Sequence, residues 1–199
     1  MKKVFIVILA LIAFVVSVIY HRTQQPDINY HQGHRLFKRG RFKDAVAFYQ
    51  RALQIEPLKI EALSDLGYAY QWTAKYDEAI DAFEKVLSLN PREYKVKESL
   101  AKVYSWKKDY KKSISLYKEV INADRDNIDF KKNLAQVYIW DGQYDKAKGI
   151  LESILRVNPD DRKAKLLFAM ALQYSGEAGQ AIKIYEDLLR KKDNLGAGL

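Results

Sequence analysis

The chain has no cysteine. That excludes a disulfide framework, thiol chemistry and a lipid-modified cysteine anchor. Histidine is scarce, with three among 199 residues, at His21, His31 and His34. No Ser-His-Asp set, phosphate-cradling glycine loop or paired-carboxylate motif occurs, and no residue stands out as a nucleophile or base. We therefore expect no enzyme, no catalytic residue, no cofactor and no metal. His31 and His34 share a helix face near Asp27, a pair that reads as solvent-facing rather than as a ligand set. The segment 124–129 resembles the start of a calcium loop. Its central glycine is missing, and Ala135 stands where a bidentate Glu is needed, so a solvated turn is expected there.

What the chain does have is a period. Its three tryptophans, Trp72, Trp106 and Trp140, are 34 residues apart, and one more step reaches Tyr174. Small residues recur at Gly33, Gly67, Ala101, Ala135 and Ala169, and again at Ala45, Ala79, Ser113, Ala147 and Ala181. Large residues recur at Leu36, Tyr70, Tyr104, Tyr138 and Leu172, and at Tyr49, Phe83, Tyr117, Leu151 and Tyr185. A ring column runs Phe42, Tyr76, Tyr110, Tyr144 and breaks at Ala178. Pro57, Pro91 and Pro159 close three repeats, while Arg125 and Asp193 take that place in the others.

Within each repeat, apolar residues return every three or four positions, as in Leu63, Leu66, Tyr70 and then Ala79, Ala82, Phe83, Val86. That is the helical period. Each repeat predicts two helices of roughly 12–14 residues joined by a short polar turn. The small columns let backbones approach to about 8–10 Å, and rings fill the facing space. Proline lies just past the second helix, where the chain turns. One helix pair cannot bury its apolar face alone, so the repeats must stack into one continuous core.

The pattern Leu63-x2-Leu66-Gly67-x2-Tyr70, Ala79-x3-Phe83, Pro91 resembles the tetratricopeptide repeat (TPR), with Leu63 where that family often has Trp. Five copies tile 26–59, 60–93, 94–127, 128–161 and 162–195 without insertion, about 170 of 199 residues. The resemblance implies an all-α, right-handed superhelical solenoid of five helix-turn-helix repeats. It also implies a non-catalytic scaffold whose first helices line a concave groove. Residues expected there are Tyr30, His34, Phe37, Tyr68, Gln71, Trp72, Lys102, Trp106, Gln136, Ile139, Trp140 and Tyr174. The carboxylate clamp of chaperone-binding members is not expected, because its Asn positions read His34 and Tyr68. Tryptophan in this column is similar to that of bacterial exopolysaccharide secretion proteins, which keeps a glycan ligand open beside a protein one. The opposite reading is that each Trp packs on a neighbouring ring and is partly core.

Residues 1–25 differ in kind. Lys2 and Lys3 precede the uncharged, mostly apolar run 4–20, which spans roughly 26 Å as a helix. It is expected to be an apolar transmembrane-type helix: an uncleaved signal anchor, or alternatively a cleaved signal. The small-residue exit near Ser17 is a poor cleavage site, which favours the anchor. The linker to the array would be about five residues. Lys2 and Lys3 place the N-terminus inside, so the array is expected to be extracytoplasmic, periplasmic in a Gram-negative cell. The secreted form follows if the segment is removed. The partners expected are proteins of a membrane or envelope complex, the membrane itself through 4–20, and a glycan as the alternative. The net charge is +9, but no nucleic-acid motif accompanies it and no nucleic acid is expected. Arg35, Lys38, Arg39, Arg41 and Lys43 form a basic cluster near the expected membrane, which reads as a solvated face or, alternatively, as a contact for anionic head groups.

Overall fold

In a computed structural model the chain is described over residues 2–196, with side chains described for 6, 8–19 and 25–190. Among the described residues there are ten α-helices and no strand: α1 (Lys2–Lys38), α2 (Phe42–Ile55), α3 (Ile60–Trp72), α4 (Tyr76–Leu89), α5 (Tyr94–Trp106), α6 (Tyr110–Ala123), α7 (Ile128–Trp140), α8 (Tyr144–Val157), α9 (Arg162–Tyr174) and α10 (Ala178–Gly196). The alternation of 13- and 14-residue helices from α2 to α9 is the sequence period made physical. Pro57, Pro91 and Pro159 each follow the last helical residue by two positions.

The same turn joins the two helices of every repeat. Its left-handed residue is Gly40, Ala74, Lys108, Gly142 or Gly176, with φ between 57° and 91°. The N–H of the very next residue turns back to the helix just ended: Lys75 N donates to Tyr70 O at 2.9 Å, and Gln143 N to Tyr138 O at 2.8 Å. This satisfies carbonyls that a helix end otherwise leaves unpaired. Helix starts are capped by Asp109, Asn127 and Asp161, each accepting a backbone N–H. Asn127 therefore gives the calcium-like segment 124–129 a structural role.

The chain divides into two compact units, Met1–Val96 and Lys97–Leu199. In the first, α1 packs on α2, α2 on α3, and α3 on α4. Its core is set by close approach at glycine. A Cβ on Gly67 would stand 2.5 Å from the Phe83 ring, and one on Gly33 would stand 2.9 Å from Tyr49. Phe83 and Tyr49 are fully buried. In the second unit, α6 to α10 pack in sequence and α7 also meets α9. Tyr117, Leu134, Tyr138, Leu151, Ile154 and Leu167 fill its core against Ala101, Ala135, Ala147, Ala164 and Ala171.

Helix α1 is longer than one repeat helix. It runs through the stretch expected to be a linker and carries Pro26 inside it. Pro26 has no N–H to donate, so the helical ladder loses one rung there. Of the segment 4–20, the side chains of 4, 5, 7 and 20 lie outside the described ones. Among the described residues, no helix is long and apolar enough to cross a membrane. The apolar side chains described there are nonetheless exposed on every face, from Ile6 and Ile8 through Phe14 to Ile19.

Candidate partner-binding surface

The first helix of each repeat places its residues in two groups, one along its length and one at its end. Along α1 and α3 the polar centre is Asp65, which the sequence did not single out. His34 Nδ1 lies 2.9 Å from Asp65 Oδ2. The buried Tyr49 hydroxyl donates to the same oxygen at 3.2 Å. Tyr30 stacks on His34 at 5.7 Å and tilts against Tyr49 at 6.0 Å. Burial, with Asp65 beside it, pushes the Tyr30 phenol up to about 12. The same causes raise Tyr49 further. Both phenols thus stay neutral donors at ordinary pH. Asp27 lies 2.8 Å from Lys59 Nζ.

The other expected groove residues have varied surroundings. Phe37 is half-buried, edge-on to Phe42 at 5.0 Å. Tyr68 is half-buried, edge-on to Phe83 at 5.2 Å. Gln71 is half-buried, and its Oε1 is buried with no hydrogen-bond partner. Lys102 Nζ lies 2.6 Å from Glu98 Oε1. Gln136 is half-buried. Ile139 is a correction: it is 4% exposed, inside the core of the second unit, and offers nothing to a ligand. It directly precedes an exposed Trp140, and neighbouring positions on a helix do not share a face.

Trp72, Trp106, Trp140 and Tyr174 are the last residues of α3, α5, α7 and α9, and 43–66% of their surface is exposed. They lie at the turns rather than midway along the helices. Trp72 stacks on Phe42, the ring that opens the second helix of the preceding repeat, at 5.4 Å and 8° between planes. Tyr174 stacks on Tyr144 in the same register at 6.0 Å. Each stack borders an open hollow. One, about 520 Å³, is lined by Gly40, Arg41, Phe42, Trp72 and Thr73 among others. The other, about 830 Å³, is lined by Tyr144, Lys148, Tyr174 and Glu177 among others. Trp72 and Tyr174 are therefore each packed against one neighbouring ring and otherwise exposed.

Comparison with known proteins agrees with this architecture. Segments 60–93, 107–170 and 141–197 match tetratricopeptide repeat profiles, and 33–71 matches a TPR repeat profile. No curated protein matches the sequence. A crystal structure of MamA superposes with a TM-score of 0.76 at 21% identity, covering 88% of this chain and 96% of that one. MamA from Desulfovibrio magneticus (residues 41 to the end) gives 0.78 at 18% identity, covering 85% and 96%. A tetratricopeptide repeat protein from Parabacteroides merdae gives 0.77 at 20% identity, covering 85% and 68%. At such identities the likeness is one of fold. The period, the paired helices, the repeated left-handed turn and these matches have one account: the chain belongs to the tetratricopeptide repeat family and folds as an all-α TPR solenoid.

Proposed function

We infer that this protein is a non-catalytic scaffold that holds partner proteins against the first helices of its repeats, in a concave groove at the outer face of a membrane. The observation carrying this reading is the Tyr30–His34–Asp65 cluster. A partly exposed carboxylate is held there among rings and hydrogen-bond donors on first helices. Such a surface offers apolar area and directional polar groups without a reactive centre. The tether is the apolar segment 4–20, whose described side chains are exposed on all faces; an all-round apolar helix needs an apolar surrounding. Arg35, Arg39, Arg41 and Lys43 line one hollow of about 470 Å³, which suits contact with anionic head groups.

Photo-crosslinkers at Tyr68, Lys102 and Gln136, compared with Asp81, Lys118 and Glu152 on second helices, test the groove in intact cells. Adducts are expected from the first set. Adducts confined to the second set would overturn the groove reading. Alkaline extraction of membranes tests the tether: full-length protein should stay in the pellet, and a chain lacking 4–20 should be released.

A second reading has its own observation. The exposed Phe42–Trp72 and Tyr144–Tyr174 stacks, each beside an open hollow, are flat platforms of the kind on which sugar rings lie. A polysaccharide-contacting role in export or envelope assembly would use them. Affinity electrophoresis in polysaccharide gels should then retard the wild type and not Trp72→Ala/Tyr174→Ala.

A further inference from the structure

A partly apolar face outside the residues assigned to the groove lies on α9 and α10. Arg162, Lys163, Leu166, Tyr185, Leu188 and Leu189 line an open hollow of about 620 Å³ there. Each residue is one 34-residue step beyond a residue of the preceding repeat: Ile128, Asp129, Lys132, Leu151, Ile154 and Leu155. In that repeat the surface is covered except at Asp129, which stays exposed. Leu151 and Ile154 join one core with Ala164, Leu167 and Ala171 of α9, and Leu155 packs against it. Lys132 is 9% exposed and donates to Asp161, the residue capping the incoming helix, at 2.9 Å. One repeat later, Leu166 is 45% exposed and Leu189 62%.

The covered copy shows what the open one fits. It is an α-helix with small or apolar residues at i, i+3 and i+7, whose N-terminus comes to rest beside the 128–132 positions. The charge at those positions specifies the rest. Ile128 and Asp129 are replaced by Arg162 and Lys163, both exposed. A helix N-terminus carries about half a positive charge, so two cations beside it repel a bare one. Carboxylates in its first turn reverse the sign.

A second copy of this chain does not meet that requirement. The α1 residues in the register of Ala164, Leu167 and Ala171 are Ile28, His31 and Arg35, and Gln25 stands at the register of Asp161. That face puts Arg35 where a small residue is needed, its one carboxylate, Asp27, is already paired with Lys59, and α1 continues through the position where a free helix start is needed.

We propose that the α9–α10 face docks an amphipathic helix of a different protein, one with an acidic first turn and a small-apolar stripe at i, i+3 and i+7.

The probes are hydrocarbon-stapled peptides of residues 158–174, so that their helicity does not depend on docking. One carries Arg162→Glu and Lys163→Glu, the other Asp160→Lys and Asp161→Lys. Binding to the full chain in detergent is read by fluorescence anisotropy. The acidic peptide should bind about tenfold more tightly than the basic one. Leu189→Asp in the chain, at an exposed position, should abolish binding while leaving the helical circular dichroism unchanged. A stapled peptide of residues 24–38 should not bind. Equal binding of the acidic and basic peptides, no binding of either, or binding that survives Leu189→Asp would each overturn the proposal. Binding of the 24–38 peptide at the same face would overturn it in favour of a second copy.

Discussion

The two units carry one repeat register and hold it with different weights of close packing and ion pairing, the first unit also carrying the Lys59–Asp27 pair. In the Met1–Val96 unit the small column is glycine, and rings press to where a Cβ would stand, at Gly33–Tyr49 and Gly67–Phe83. In the Lys97–Leu199 unit the same column is alanine. Buried and half-buried lysines there reach beyond their own helix: Lys132 to Asp161, which caps α9, Lys148 to Glu177, just before α10, and Lys165 to Asp187 of α10. The lesson is that the 34-residue period specifies where helices meet, not what joins them. Shape complementarity tolerates little change in volume, whereas ion pairs answer to pH.

The largest effect expected from this contrast is at Gly67. Gly67→Val places a side chain into the Phe83 ring and should cost about 3 kcal/mol in urea unfolding. Ala135→Gly, the corresponding position in the second unit, should cost about 1 kcal/mol. Similar costs for the two would break the comparison.

Next in size is Lys132. Lys132→Ala removes the donor to Asp161 and should cost about 2 kcal/mol at neutral pH. Ser64→Ala, two steps earlier in the same column and in the first unit, should stay within about 0.5 kcal/mol. The Lys132 effect carries a pH signature. Burial pushes the Asp161 carboxyl up, but the Ala164 N–H and the Lys132 ammonium outweigh it and hold the folded value below the usual range. A lowered folded pKa gives stability that is present above the unfolded value of about 3.9 and lost as pH falls through the folded one. The gap between wild type and Lys132→Ala should therefore narrow below about pH 4. A gap that stays constant down to pH 2 would show that the carboxylate is not the partner that matters.

The smallest effect concerns a feature the units share. Ala74 and Lys108 hold the left-handed turn position with φ of 57° and 63°, where the other repeats place glycine. Ala74→Gly and Lys108→Gly should each raise stability by about 1 kcal/mol, and Gly142→Ala should lower it by a similar amount. A gain at one of the first two and not the other would mean that the turns differ between units after all.

How much of the candidate surface was legible follows from the same distinction. Helix pairs, turns and core columns were readable because apolar spacing along a helix fixes which residues can be buried together. The left-handed column escaped notice because Ala74 and Lys108 interrupt its glycines. Asp65 escaped because its column reads His31, Asp65, Ser99, Asn133 and Leu167, with no chemistry in common. The sequence assigned Trp72 to a groove or to a neighbouring ring. It stacks on Phe42 of the preceding repeat while much of the ring stays exposed. Ile139 was expected to face a ligand, and a one-residue shift around the helix buried it.

The sequence by itself determined that five helix pairs recur every 34 residues and which columns are apolar, because periodicity is a property of the chain. Only the tertiary structure decided which oxygen His34 and Tyr49 share, which ring Trp72 leans on, and that Leu166 and Leu189 stay open where Lys132 and Leu155 are covered. Those outcomes depend on distances between residues far apart in the chain, and such distances exist only once the helices have packed.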